Sequence, residues 1–158
     1  MTSFARARWL ALVVPSALIA GALGSQYLGG LFPCEMCHWQ RWPHYAAIVV
    51  ALAAFAAGNG RAARPLVVLA ALLILVSGAI GVFHAGVEYG WWKGLTRCSA
   101  IAAGGSSADI LREIMATPMI RCDEAQWTLF GVSLAGFNAI LSLGFGSAIL
   151  ALCLKPNR

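Results

Sequence analysis

Four long apolar runs, separated by polar segments, divide the chain. The first run is free of charged residues, and its length matches the ~20 residues that a helix needs to cross a hydrocarbon core. Gly58 to Gly60 end the second run, and Pro65 opens the third, where proline suits the first helical turn. The pattern predicts an all-α integral membrane protein, a four-transmembrane-helix bundle in one domain, 1–158. The predicted spans are 9–28, 42–57, 65–83 and 129–152.

Composition supports a membrane protein and the charge pattern gives it an orientation. Hydrophobic residues make up 60% of the chain and charged residues 11%, less than half of the roughly 25% typical of soluble domains. The net charge of +5 comes without a basic run, so we expect no nucleic-acid partner. The termini and the segment 58–64 carry basic but no acidic residues, which predicts that they are cytoplasmic. The outer loops are then 29–41 and 84–126.

The second outer loop contains a further predicted helix. Residues 108–117 place apolar side chains on one face and charged side chains elsewhere, and Pro118 ends the pattern. Such a helix suits the membrane interface, although packing on the top of the bundle fits the pattern equally well. In the spans, small residues recur every fourth position at Ala17, Gly21 and Ser25, and again at Ser77, Gly81 and Ala85. This spacing favours close helix packing.

The candidate chemistry lies in the cysteines. Four of the five fall in the outer loops, where disulfides persist, and they allow three pairings: Cys34, Cys37, Cys98 and Cys122. Cys34 and Cys37 stand three positions apart at the start of the second span, where a helix N-terminus would lower a thiol pKa. Cys98 and Cys122 share one loop, as either a structural staple or a second redox pair. We expect Cys153, at the inner end of the fourth span, to be an apolar packing residue.

Two charged or polar residues accompany the first pair. Arg41 comes four residues after Cys37, so both lie on one helix face. A permanent cation there can stabilise a thiolate or a reduced, anionic acceptor, or it can anchor the helix to headgroups. His84, at the outer end of the third span, is a candidate for the same pocket or a plain interfacial residue. Asn138 is expected to bond between helices, and His38 and His44 receive no role.

Three other functions fit parts of the pattern. Cys34 to His38 spells C-x-x-C-H, the attachment motif of c-type haem, with His84 or Met36 as candidates for a second axial ligand. That alternative, a membrane-anchored c-type cytochrome, leaves Cys98 and Cys122 without a purpose. A zinc site is disfavoured because the second pair lacks C-x-x-C spacing. A scaffold with one structural disulfide needs no chemistry at Cys34 and Cys37.

The combined motifs resemble the DsbB family of bacterial inner-membrane disulfide-generating proteins. P-C-x-x-C-x-x-x-R occurs here as Pro33, Cys34, Cys37 and Arg41, and His84 ends the third span. The second cysteine pair brackets a short predicted helix and continues as C-x-E-x-Q-W-x-x-x-G from Cys122 to Gly131. His38 and Glu35 depart from the family pattern, and Gln40 stands where an acidic residue would also fit.

The resemblance implies a membrane thiol–disulfide oxidoreductase. It would reoxidise a DsbA-like periplasmic thioredoxin-fold protein and pass the electrons to ubiquinone or menaquinone within the lipid. By resemblance, Cys98 is attacked by the partner, Cys122 relays to Cys34, and Cys37 faces the quinone. Arg41 and His84 would bind the quinone, and no metal is expected. The family location is the inner membrane, with both termini cytoplasmic and the redox cysteines periplasmic.

Overall fold

A computed structural model of the protein describes residues 2–94 and 120–155. Within them the chain forms four helices and a small hairpin. The helices are α1 (Ser3–Tyr27), α2 (Glu35–Ala56), α3 (Ala63–Glu88) and α4 (Leu134–Leu154), and the strands are β1 (Thr128–Leu129) and β2 (Val132–Ser133). Of the described helices, α1, α3 and α4 are long and apolar enough to cross a membrane. The protein is therefore a helical membrane protein. Cys98 and the predicted helix 108–117 lie outside the described residues.

Helix α2 begins ahead of its apolar run, and the cysteine pair stands at the helix start as the sequence predicts. The sequence places the second span at 42–57, but the helix starts at Glu35 with Cys34 as its N-cap. The Cys34 sulfur accepts a hydrogen bond from the Cys37 backbone N–H at 3.2 Å. A cap of this kind satisfies one of the backbone donors left free at a helix start. The cysteine motif is thus built into the first turn of α2, ahead of the predicted span.

The start of the fourth predicted span, 129–152, is a hairpin and not a helix. Phe130 and Gly131 both have positive φ, 52° and 77°, as a two-residue hairpin turn requires. Ser133 then caps α4 by accepting a hydrogen bond from the Gly136 N–H at 3.1 Å. The Tyr89 hydroxyl donates to the Gly131 carbonyl and accepts from the Ser133 N–H, each at 3.0 Å. These bonds fix the hairpin to the end of α3.

The two stripes of small residues serve different purposes. On α3, Ser77, Gly81 and Ala85 are buried, and a Cβ at Gly81 would lie 3.0 Å from the Ala135 carbonyl of α4. Those helices therefore pack as closely as the sequence predicts. On α1 the prediction is wrong at Gly21, because a Cβ there would meet nothing within 4 Å. Cys153 is buried in an apolar cluster, as expected of a packing residue.

Candidate functional site

Three of the four predicted redox cysteines meet at one end of the bundle. The sulfurs of Cys34 and Cys37 are 3.0 Å apart, and both residues are free thiols in this structure. Cys122 lies near the C-terminal end of the second outer loop, 84–126. It packs with Cys34 in one apolar cluster that includes Met36 and Val87. Cys34 and Cys122 are both buried. The fold thus brings together sulfurs that are distant in sequence.

The segment that carries Cys122 is fixed to the segment before Cys34. The Gln126 side chain donates a hydrogen bond to the Phe32 carbonyl at 2.6 Å. The backbone of Cys122 also makes a hydrogen-bond interaction with the His84 imidazole. Because both anchors lie within a few residues of a cysteine, they limit how far Cys122 can move from Cys34.

The pKa values of the two thiols of the first pair are shifted in opposite directions. The Cys34 thiol donates a hydrogen bond to the Cys37 sulfur, which lowers the pKa of Cys37 and raises that of Cys34. Burial raises the Cys34 pKa further, whereas the Arg41 charge contributes to lowering that of Cys37. The negative charge of the reduced pair therefore resides on Cys37. A low-pKa thiolate is also the better leaving group in disulfide exchange.

This asymmetry predicts a pH dependence for alkylation of the reduced protein. Cys37 should react with iodoacetamide with a midpoint below pH 9.0, the ordinary value for a cysteine, because its thiolate persists to lower pH. Its reaction is lost only as the pH falls through that lowered pKa. In a Cys34→Ala variant the donor is absent, so the midpoint should rise. Peptide mapping by mass spectrometry measures both curves, and identical midpoints would contradict the assignment.

Arg41 is a buried cation beside this pair. Its side chain is 8% exposed, which rules out a role as a headgroup anchor. Nη1 donates to Gln26 Oε1 at 2.6 Å and Nη2 to the Ala22 carbonyl at 3.1 Å, both on α1. Within 2–94 and 120–155 no carboxylate lies within salt-bridge distance of Arg41. The guanidinium charge is therefore available to an anion or to a group that becomes one.

A cavity of about 190 Å³ lies between α1, α2 and α4, next to Arg41. Gly21 contributes to its apolar wall, and its polar lining is Ser25, Cys37, Gln40, Arg41, His44 and Asn138. An engineered cavity of about 150 Å³ accepts a benzene ring. The cavity thus has room for a ring-sized, partly apolar molecule that touches a reactive sulfur and a cation.

Comparisons with known proteins agree with this site. The family described as Disulfide bond formation protein DsbB matches residues 5–152. The chain belongs to the DsbB family. A Disulfide bond formation protein B from Marinobacter nauticus is 31% identical over 146 residues, covering 84% of this chain and 83% of that protein. No solved structure matches the chain significantly. As a DsbB-family member, the chain is a disulfide-forming membrane protein with oxidoreductase activity.

The DsbB-family chain also contains a buried polar network that the apolar pattern did not reveal. Gln40 Nε2 lies 2.7 Å from His84 Nδ1, and Gln40 Oε1 accepts from Asn138 Nδ2 at 2.8 Å. Asn138 Oδ1 is 3.0 Å from His44 Nε2, and Ser77 Oγ is 2.9 Å from the same nitrogen. Polar residues inside apolar helices are a functional signal, and that signal was present in the sequence. The sequence did not indicate which of these side chains meet across the helices.

The other predicted chemistries find less support among the described residues. Cys34, Cys37 and His84 place potential ligand atoms within 4.8 Å of one another, which is close enough for a metal. His84, however, already contacts Gln40 on one ring nitrogen and Cys34 on the other. His38, the histidine of the haem motif, is exposed beside Trp39 and Trp42. Glu35 is exposed as well. Cys34 itself is buried among side chains, which leaves no open space for a haem on that residue.

Proposed function

We propose that this DsbB-family protein reoxidises a soluble DsbA-like dithiol protein and passes the electrons to ubiquinone or menaquinone. The observation that carries the proposal is Arg41, a buried cation beside Cys37 and a ring-sized cavity. No carboxylate of residues 2–94 and 120–155 lies within salt-bridge distance of it. Burying an uncompensated charge is costly, so a site that keeps one serves an anionic species. A quinone becomes anionic as it accepts electrons. Cys37, which lines the same cavity as Arg41, would donate those electrons as a thiolate.

The cavity fits a quinone by its lining. Apolar residues of α1 and α4 would hold the ring, and Arg41 would donate to one of its oxygens. His84, the other residue that the resemblance assigns to the quinone, lines a smaller neighbouring cavity with Cys34, Cys37 and Arg41. When bound, the quinone supplies an acceptor for two electrons and two protons. The residues of this chain supply the thiolate, orient the ring and exclude water. His84, which is 2% exposed, supports the cysteine pair from the α3 side.

The relay that we propose is supported by the placement of Cys34, Cys37 and Cys122. The partner's thiolate attacks Cys98 of a Cys98–Cys122 disulfide, which forms a mixed disulfide and releases the Cys122 thiolate. Cys122 then attacks Cys34 of a Cys34–Cys37 disulfide, forming Cys34–Cys122 and releasing the Cys37 thiolate. The packing of Cys122 against Cys34, and the low pKa of Cys37 as leaving group, support this order.

The remaining steps return the cysteines to disulfides. The partner's second thiolate breaks the mixed disulfide, leaves oxidised and frees the Cys98 thiolate. Cys98 attacks Cys122, restores Cys98–Cys122 and releases the Cys34 thiolate. The Cys34–Cys37 bond then re-forms as the pair gives up two electrons. In total, two partner thiols become a disulfide, and two electrons and two protons reduce one quinone to quinol.

The proposed topology places all four helices across the bacterial inner membrane. Helix α2 spans 22 residues and packs against α1 and α3, so it completes the bundle although its first turns are polar. Both termini would be cytoplasmic and the cysteines of residues 29–41 and 84–126 periplasmic. The predicted helix over 108–117 would be the interfacial helix of the second outer loop.

Gly21→Leu tests the cavity as the quinone site. A side chain at Gly21 meets no atom within 4 Å, so leucine would grow into the cavity without disturbing a packed neighbour. We expect the KM for quinone to rise about tenfold or more, while the exchange between the protein and its reduced partner is unchanged. The matched control is Gly144→Leu in α4, where a Cβ also meets nothing and which does not line the cavity. Equal KM values in the two variants would place the quinone elsewhere.

A further inference from the structure

Two backbone carbonyls determine how the buried amides of the network are oriented. Asn138 Nδ2 lies 3.2 Å from the Ser77 carbonyl and 2.8 Å from Gln40 Oε1. A backbone carbonyl only accepts hydrogen bonds, so the atom facing it is the amide NH₂. Gln40 Oε1 is therefore the acceptor from Asn138, which places the Gln40 NH₂ on its other side.

The second carbonyl confirms the orientation of Gln40 and extends it to His84. Gln40 Nε2 lies 3.3 Å from the Met36 carbonyl, which again can only accept. The same NH₂ is 2.7 Å from His84 Nδ1. Because the NH₂ donates to both, Nδ1 carries the lone pair of the imidazole. A neutral imidazole has one N–H, and in His84 it is then on Nε2.

The surroundings of His84 Nε2 agree with a donor at that atom. Nε2 lies 3.5 Å from the Cys34 sulfur and 3.7 Å from Glu88 Oε1, and the imidazole also contacts the Cys122 backbone, whose carbonyl can only accept. Glu88 is oriented in turn by a hydrogen bond from the Ser133 hydroxyl at the start of α4. Sulfur and carboxylate oxygen both accept hydrogen bonds, so the N–H on Nε2 has an acceptor on either side.

We infer that Gln40 is a positioning residue that holds His84 as its Nε2–H tautomer. In this tautomer His84 donates a hydrogen bond to Cys34, and it does not remove the proton of the Cys34 thiol. The consequence of this hydrogen bond for turnover rests on the proposed function. Cys34 gains negative charge when Cys98 displaces it from the Cys34–Cys122 disulfide, and the Nε2–H stabilises that leaving thiolate. The same N–H occupies the nitrogen that a metal at Cys34, Cys37 and His84 would need.

The tautomer is measurable without any turnover. Nitrogen-15 labelling of the three histidines, followed by NMR of the membrane-embedded protein at pH 7.5, distinguishes a protonated from an unprotonated ring nitrogen. Comparison with a His84→Gln variant assigns the His84 signals. We expect Nδ1 unprotonated and Nε2 protonated in the natural protein, and a mixture of tautomers in Gln40→Leu. Ser142→Ala is the matched control, since Ser142 bonds to Asn138 but touches neither Gln40 nor His84. Protonation at Nδ1 in the natural protein, or a pure Nε2–H tautomer in Gln40→Leu, would overturn the inference.

Disulfide mapping tests the role in turnover. After reduced partner is added, Gln40→Leu should release Cys34 from Cys34–Cys122 about tenfold more slowly, the size expected for one lost hydrogen bond to a charged group. Acid quenching and mass mapping would show this disulfide accumulating. Its decay at the natural rate would refute the positioning role. If no quinone is reduced even by the natural protein, the proposed function fails, while the tautomer measurement still decides the inference.

Discussion

Serine in place of Cys37 is expected to lower quinone reduction by at least about a thousandfold. Removal of a nucleophile from other enzymes costs this much or more. A serine hydroxyl forms no disulfide with Cys34, so Cys122 has no disulfide to attack and the electrons stop at Cys98 and Cys122. The measurement is the anaerobic rate of quinone absorbance loss in the presence of reduced partner.

Two further observations make the Cys37→Ser result specific. Cys153→Ser is the control, because Cys153 is buried in an apolar cluster apart from Cys34, Cys37 and Cys122. It should retain the natural rate if it folds. In Cys37→Ser, mass mapping after addition of excess reduced partner should find Cys98 and Cys122 reduced, because there is no Cys34–Cys37 disulfide for Cys122 to attack. Sustained quinone reduction by this variant would refute the assignment of Cys37 as the electron donor.

Methionine in place of Arg41 is expected to lower kcat/KM for quinone by about a hundredfold. Loss of one partner of a buried, charge-bearing contact costs on the order of 2–5 kcal/mol, and 2.7 kcal/mol is about a hundredfold. The charge is lost both for the Cys37 thiolate and for the reduced acceptor, so kcat and KM should both change. Steady-state kinetics at several quinone concentrations separates the two.

The Arg41→Met result needs a control for lost packing. Arg41 also holds α1 through Gln26 and Ala22, and a variant without it could simply pack less well. Arg8→Met is the matched variant, because Arg8 is half-buried and donates to the Gly58 carbonyl at 2.6 Å, far along the sequence from the cysteines. It should reduce quinone normally. If Arg8→Met and Arg41→Met lose activity equally, the effect is general destabilisation.

The sequence predicted the local part of the site well. Cys34, Cys37 and Arg41 lie within two helical turns of each other, so the α-helical periodicity is enough to predict that they are neighbours. The stripe on α3 also packed as expected, because glycine at 81 leaves room for the α4 backbone. The placement of the cysteines and of Arg41 depends on neighbours in the chain, which a pattern reports directly, and the spacing of small residues on α3 shows which of its faces can pack closely.

The remaining features depend on pairings between helices. Gly21 has the same spacing as Gly81, but it faces a cavity, since no neighbouring helix fills the space there. Gln40, His84 and Asn138 come from three helices, and nothing in any one helix indicates that their side chains meet. The hairpin at Phe130 and Gly131 was missed because its residues are as apolar as the span that follows.

In the proposed function, electrons from a dithiol protein reach quinone through these cysteines. The most direct measurement follows thiols and quinone together, under anaerobic conditions, with the purified full-length protein and a reduced DsbA-like partner. We expect one quinol to form for every two partner thiols lost, and none to form in Cys37→Ser. Loss of partner thiols without quinol formation, or quinol formation that survives in Cys37→Ser, would contradict it.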